Sequence, residues 1–258
     1  MVEASEWKVD ESELRTRRAG SFGAVAATYA AHRPDYPEAG IRWALESAPA
    51  GAPEVLDLGA GTGKLTDGLR ALGARVHAVE PDADMRAEFA RLHPDVPLAD
   101  GSAEAVPLPD DSVDAVVAGQ ALHWFDTDRA FPEIARVLRP GGVFAAFWNT
   151  DDQSVDWVRD LGRLGRTHVS FERRSTSGLP ASPLFHPFER TEFPHSHRRT
   201  AESLTATIGT QSHTLVIGPE ERAQLLARIT DYLRGRPETA DGEFDYPIRT
   251  LVIRTTLV

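Results

Sequence analysis

Short apolar runs alternate with stretches of helical periodicity along the first part of the chain. Runs such as 143–148 are too short for helices and are typical of buried parallel strands. Between the runs, apolar side chains recur at helical spacing, as in Met85, Phe89 and Leu92. This alternation predicts an α/β fold with a parallel sheet. The predicted strands cover 55–58, 75–80, 97–100, 114–119 and 143–149, and the predicted helices contain 65–72, 85–92 and 131–138, the last ended by 140–142.

The segment after Asn149 has weaker periodicity. We predict that residues 151–258 complete the same domain and do not form an independent one. Residues 1 to about 20 are polar and charged, which predicts a frayed end or a short helix. The elements predicted after Asn149 are a helix in 152–165, a loop over 166–187, a strand over 188–198, a helix that begins at Pro219, and a terminal strand over 246–258.

The composition narrows the classes of partner. The formal net charge of the 258 residues is −11, which argues against DNA or RNA because phosphate neutralisation needs clustered Lys and Arg. The chain has no cysteine, so disulfides and thiolate metal sites are excluded. Its polar start argues against a signal peptide, and no stretch approaches the roughly 20 apolar residues that span a bilayer. We expect a soluble cytoplasmic protein that acts without membrane or nucleic acid.

A glycine-rich segment follows the first predicted strand and opens a helix, which is the arrangement of a ligand cradle. It does not fit a phosphate-binding P-loop, because Leu58 and Leu65 occupy the positions that need Gly and Ser or Thr. It also departs from the dinucleotide fingerprint, since its glycines run G-x-G-x-G and Lys64 replaces the last one. Asp57, just ahead of the glycines, would repel a pyrophosphate. The segment therefore favours a cationic ligand.

Five segments of the chain together carry a resemblance to a known family. They are Glu54–Gly63, His77–Asp82, Gly101–Pro109, Gln120–Phe125 and Arg136–Gly142. With these segments the chain resembles the class I S-adenosylmethionine-dependent methyltransferases, and among them the small-molecule enzymes of the trans-aconitate and ubiquinone/menaquinone methyltransferase kind. The resemblance implies a Rossmann-like, doubly wound, seven-stranded sheet, mostly parallel with a C-terminal antiparallel strand, plus helical lid elements. It also implies one domain over 1–258 with its cofactor-binding core at 22–149.

The resemblance implies S-adenosylmethionine as cofactor and S-adenosylhomocysteine as its product. Glu80 ends a strand about 20 residues beyond the first glycine, where a carboxylate can accept hydrogen bonds from both ribose hydroxyls. In similar proteins the segment around Arg33 folds over the cofactor, with Arg33 on the methionyl carboxylate and Tyr29 and Tyr36 as walls. Ser102 replaces the Asp that usually meets the adenine, so this contact could pass to Asp100 or to the backbone. The predicted cofactor-binding residues are Tyr29, Arg33, Asp57, Gly59, Gly61, Thr62, Glu80, Pro81, Ser102, Ala103, Glu104 and Gln120.

The implied chemistry is displacement at a sulfonium methyl by a nucleophile of a small-molecule acceptor, with no metal. A general base is needed only if the acceptor loses a proton, and His123 is the candidate because it lies just beyond the fourth strand. Its alternative role is packing or a local hydrogen bond. The remaining histidines that we considered, His32, His186, His195, His197 and His213, are expected at the surface.

Two other functions stay open from the sequence. One is a cofactor-binding scaffold or sensor that transfers no methyl group, because a fold and even a ligand do not fix a reaction. The other is a nucleotide-dependent oxidoreductase, against which Asp57 and the glycine spacing argue.

Overall fold

A mixed β-sheet forms the centre of the computed structural model, which describes residues 26–49, 51–167 and 182–258. Within these ranges the sheet has seven strands in the order β3-β2-β1-β4-β5-β7-β6. The first five strands in chain order run parallel to one another, and β7 is antiparallel to both of its neighbours, so the predicted fold class is confirmed. The strands are β1 (Glu54–Leu58), β2 (Arg75–Val79), β3 (Leu98–Ala99), β4 (Val113–Gly119), β5 (Leu138–Asp151), β6 (Glu189–Arg199) and β7 (Phe244–Thr256).

Helices cover both faces of this sheet. Acidic side chains begin two of them, because Asp82 and Asp126 accept hydrogen bonds from backbone N–H groups of the first turn. The helices of the described residues are α1 (Ala26–His32), α2 (Glu38–Ala44), α3 (Lys64–Ala71), α4 (Ala83–Leu92), α5 (Thr127–Val137), α6 (Asp156–Leu164), α7 (Ala201–Gly209), α8 (Ser212–Leu215) and α9 (Pro219–Arg234), with a 3₁₀ turn at Leu122–Trp124.

The strand alternation explains why the sheet is covered on both sides. Successive side chains of a strand point to opposite faces. On β5, Val143 and Ala145 pack with the apolar side of α2 and α3, whereas Phe144 and Ala146 pack with α5. Both sets are fully buried. This two-sided burial is the reason that the central strands read as continuous apolar runs.

Two boundaries differ from the sequence prediction. Leu138 was expected on the last turn of a helix, but it begins β5 and pairs with Val113, so the helix ends at Val137. The segment 140–142, predicted to end that helix, lies inside the strand. Here the backbone of Leu138 is needed for the ladder with β4, and this long-range pairing overrides the local turn signal.

The prediction missed α7 and α8, which follow β6. Threonine is a poor helix former, and Thr205 and Thr207 lie inside α7. The helix is nevertheless capped well, because Thr200 and Ser203 exchange side-chain and backbone hydrogen bonds. The predictions for residues 1–20 lie outside the described residues. None of the described helices is long and apolar enough to cross a membrane.

Candidate active site

The glycine loop forms a tight turn between the end of β1 and the start of α3. The backbone N–H groups of Gly59 and Ala60 donate to the Val79 carbonyl at 2.8 and 3.1 Å, which closes the loop against β2. Gly63 begins α3 with a φ of 93°, and a Cβ at this position would lie 2.2 Å from Nε2 of the buried His93. Only glycine fits there. The loop therefore holds the N-terminus of α3 close to the end of β1.

Asp57 is a buried carboxylate on the central strand, only 1% exposed. Its Oδ2 accepts a hydrogen bond from the Thr66 hydroxyl at 2.7 Å, but Oδ1 has no partner among the described residues. Burial raises the Asp57 pKa to about 7, and the negative charge of Glu80 adds to this rise. The Thr62 hydroxyl is also buried and has no partner within the described ranges. Buried polar atoms without partners are rare, and a bound group would satisfy them.

Glu80 follows β2 directly and reaches back to the glycine loop. Its Oε2 accepts from the Gly61 N–H at 2.8 Å and its Oε1 from the Asp82 N–H at 2.9 Å. Burial raises the Glu80 pKa. Each carboxylate oxygen can accept a second hydrogen bond, so Glu80 can still receive two hydroxyl donors. The structure thus brings the two predicted acids close to the glycine loop. They are near enough for the negative charge of Glu80 to raise the Asp57 pKa.

The segment after β3 is held by local hydrogen bonds. Ser102 Oγ accepts from the Glu104 N–H at 3.3 Å, and Ala103 is buried. The Glu104 carboxylate accepts from the Asp126 N–H at 2.9 Å, which fastens this segment to the start of α5. Arg86 donates to the carbonyls of Glu80 and Pro81 and forms an ion pair with Asp100 at 3.0 Å. The ends of β2 and β3 are therefore tied together.

The α1 helix and the residues that follow it lie across the carboxyl ends of the strands. The helix contacts α4 on one side and α7 on the other. Arg33 donates from Nε and Nη2 to the hydroxyl and carbonyl of Thr210, at 3.1 and 2.9 Å. Tyr36 lies over Gly119, where a Cβ would come within 2.7 Å of its hydroxyl. The side chain of Tyr29 lies outside the described residues, although its backbone belongs to α1.

A cavity of about 60 Å³ lies beneath this cover, at the carboxyl ends of β4 and β5. Gln120 marks its junction with the glycine loop, because Ala121, the next residue, packs directly on Gly59. The backbone of Gln120 has a φ of 56°, which is uncommon for a residue with a side chain and typical of functional sites. Its side-chain amide donates to the Asn149 carbonyl at 2.9 Å. The cavity therefore adjoins the glycine loop, beside which Asp57 and Glu80 lie.

Three comparisons with known proteins agree with this geometry. A family model for a methyltransferase domain matches residues 56–146. An uncharacterised methyltransferase of Mycobacterium bovis is 38% identical over 239 residues, which cover 92% of this chain and 96% of the relative. The ubiquinone/menaquinone biosynthesis C-methyltransferase of Rubrivivax gelatinosus is 38% identical over 144 residues, which cover 53% of this chain and 57% of the relative. The solved structure of a type II methyltransferase from Anaeromyxobacter dehalogenans matches with 34% identity and a TM-score of 0.59, over 87% of this chain and 96% of that one.

The chain belongs to the class I S-adenosylmethionine-dependent methyltransferases. The family resemblance is thereby confirmed, and the oxidoreductase alternative is overturned. The site of this methyltransferase fits a cationic nucleoside on its own evidence, because Asp57 Oδ1 and the Thr62 hydroxyl are buried without partners. A group that brings a positive charge and hydrogen-bond donors satisfies both atoms.

His123 lies on the 3₁₀ turn after β4 and is exposed. Its ring packs on Trp124 with centroids 4.6 Å apart, and its Nδ1 accepts from the Trp148 indole N–H at 3.4 Å. His123 does not line the cavity described above. The role of His123 as a base stays a prediction. Because Nδ1 accepts the hydrogen bond from Trp148, Nδ1 is the ring nitrogen that carries the lone pair.

The sequence prediction missed part of the cavity wall. His197, expected at the surface, lines the cavity together with Arg199, Tyr246 and Asp151. Burial, and the nearby Arg199 charge, lower the His197 pKa to about 4. A signal was present, because His195, His197 and Arg199 alternate along β6 and so share one face of the strand.

The buried carboxylate gives this methyltransferase a pH-dependent stability when no ligand is bound. The Asp57 pKa lies above its ordinary value of 3.8, so the folded protein binds more protons than the unfolded chain between about pH 4 and 7. The Asp57 contribution to stability is therefore lost as pH rises through this window. We expect Asp57→Asn to have little effect near pH 4 and to raise the free energy of unfolding by up to about 4 kcal/mol at pH 8.

Urea denaturation of the ligand-free protein across this pH range measures the effect. Asp84→Asn, at an exposed carboxylate in the first turn of α4, is the matched control and is expected to show no such trend. A stability difference that is constant with pH would contradict the assignment.

Proposed function

We propose that this methyltransferase transfers the methyl group of S-adenosylmethionine to a small-molecule acceptor bound in the cavity at the ends of β4 and β5. The observation that carries the proposal is the buried Oδ1 of Asp57, which has no partner among the described residues and lies close to Glu80 and to a cavity of about 60 Å³. The Rubrivivax relative is named for a step of quinone biosynthesis, which supports a small-molecule acceptor.

The chain offers a residue for each part of the cofactor. Asp57 and Thr62 would hold its cationic end, with Gly59 and Gly61 giving the backbone room to approach. Glu80 would accept from the ribose hydroxyls. The adenine would lie along Pro81, Ser102, Ala103 and Glu104, and the methionyl carboxylate would meet Tyr29 and Arg33, with Gln120 at the boundary to the acceptor. When bound, the cofactor supplies a methyl group already activated by its positive sulfur.

The main task of the chain is then to orient the acceptor and exclude water. Correct positioning of the two reactants can by itself account for a large part of the reduction in the activation barrier. The cavity holds space for only a few waters and is below the size of most small-molecule sites, roughly 300–1,000 Å³. An acceptor larger than this volume would enter by displacement of the segment 33–36 or of α7. These elements are joined by the hydrogen bonds from Arg33 to Thr210.

The proposal is tested by incubating the protein with methyl-labelled cofactor and a panel of carboxylic acids, phenols and quinone precursors. We expect label to appear in at least one small-molecule product. Label that appears on macromolecules and in no small-molecule product would contradict a small-molecule acceptor.

The ribose assignment predicts the effect of removing Glu80. Charge-assisted hydrogen bonds contribute about 1.5–3 kcal/mol each, so Glu80→Ala should weaken S-adenosylhomocysteine binding by at least about tenfold. Calorimetric titration measures this affinity. Glu220→Gln, exposed at the start of α9, is the control and should bind like the unaltered protein. Equal affinity of the Glu80 variant would remove the ribose role.

The base assignment predicts a different pattern for His123. General-base catalysis contributes typically 10²–10⁴-fold. With an acceptor that must lose a proton, His123→Ala should slow single-turnover methyl transfer by about 10²-fold or more while cofactor affinity stays unchanged. His186→Ala, an exposed histidine ahead of β6, serves as control. A rate within about threefold of the unaltered protein would assign His123 to packing on Trp124 and Trp148.

A further inference from the structure

A buried guanidinium lies in the wall of the cavity. Arg199 ends β6, is only 8% exposed, and lines the cavity together with Arg33 and Gln120. Burial lowers its pKa, although a guanidinium keeps its charge at any physiological pH. A fixed positive charge is therefore held at the place where the acceptor would bind.

This charge has no opposite charge in contact with it. Among the described residues, no carboxylate lies within 4 Å of Arg199; its Nη2 donates to the His32 carbonyl and to His197 Nδ1, the latter at 2.8 Å, and its Nη1 to the Arg198 carbonyl at 3.3 Å. The charge of a more distant carboxylate, Asp35, raises the Arg199 pKa against the effect of burial. Asp35 is exposed and already forms an ion pair with Lys64 at 3.0 Å.

Such an arrangement is costly without a ligand. A buried charge is normally paired, and the penalty for leaving it unpaired amounts to several kcal/mol. Within the described part of the chain, the three hydrogen-bond acceptors of Arg199 are all neutral, and its Nε has no partner. Two other charged side chains line the cavity. Arg33 is assigned above to the methionyl carboxylate of the cofactor, and Asp151 lies beside the Tyr246 phenol. Arg199 is therefore the guanidinium of the lining that is left for an acceptor.

We infer that the acceptor carries a carboxylate group and that Arg199 is the residue that selects it. This inference rests on the proposed function and gives the chemical class of its acceptor. A carboxylate brought into the cavity would supply the missing opposite charge in a place with little water, where charge-assisted hydrogen bonds are strong. An uncharged amide of the same shape would leave the Arg199 charge unmatched.

A structural role for Arg199 makes a different prediction. Its hydrogen bond to the His32 carbonyl, shared with the Thr207 hydroxyl at 2.9 Å, fastens the end of α1 to β6 and α7. If that were its only role, substitution would weaken acids and their amides equally. If Arg199 recognises a carboxylate, the preference for the acid over the amide is lost. The ratio of the two affinities therefore separates the two roles.

The probes are two matched pairs, acetate with acetamide and benzoate with benzamide, titrated into the full chain by ligand-observed NMR. We expect the unaltered protein to bind each acid about tenfold or more tightly than its amide, as loss of a hydrogen bond to a charged group predicts. Arg199→Gln should bind acid and amide within about twofold of each other. Arg198→Gln is the control, since Arg198 is exposed on the neighbouring position and faces Glu243 and Asp245; it should keep the full preference.

Equal binding of acid and amide by the unaltered protein would overturn the inference, as would a full preference in Arg199→Gln. Where Arg199→Gln does not fold, Arg199→Lys decides the point, because a lysine keeps the charge without the guanidinium donors and should lower the preference at least threefold. The titrations are made with and without S-adenosylhomocysteine. Failure to bind S-adenosylhomocysteine contradicts the proposed function, whereas its binding without a preference for acids contradicts only this inference.

Discussion

The site depends on one carboxylate held at the buried end of the central strand. Asp57 lies on β1, which is flanked by β2 and β4 and covered on both faces. Its Oδ2 accepts a hydrogen bond from the Thr66 hydroxyl, and its Oδ1 has no partner in the described part of the chain. Desolvation opposes its negative charge, so the fold carries a cost at this position that a bound cation would offset. The glycine loop, Glu80, and α1 with the residues that follow it all lie at the same end of the sheet as Asp57.

Close contacts at two glycines connect the glycine loop with the cavity at the carboxyl ends of β4 and β5. Gly59 packs on Ala121, and Gly119 lies under the hydroxyl of Tyr36. Because neither glycine has a side chain, the cofactor loop and the cover both approach the end of β4 closely. Gln120, between these contacts, has its strained backbone fixed from both sides. The glycine loop and the cavity therefore share the segment at the end of β4.

The sequence predicted the parts of this structure that local chemistry determines. The strands β1, β4 and β5 follow from apolar runs that are buried on both faces, and the glycine loop follows from the alternating glycines around Gly61. The strand over 188–198 was predicted, but its role in the cavity wall was not, because its polar, half-buried face is typical of an exposed strand. His197 and Arg199 become site residues only through long-range packing of α1 and α7. Their positions are fixed by contacts more than 150 residues apart in the chain.

The charges of the two regions also explain why Arg199 is not neutralised from within. The acids Asp57 and Glu80 lie beside the glycine loop, whereas Arg199 belongs to the cavity wall. An ion pair between them would remove the attraction of each region for its own ligand. By keeping the two acids on one side of the β4 end and Arg199 on the other, the fold leaves a negative charge for the proposed cationic donor and a positive charge for the proposed anionic acceptor. Opposite charges bound at these neighbouring sites attract each other more strongly when water is excluded.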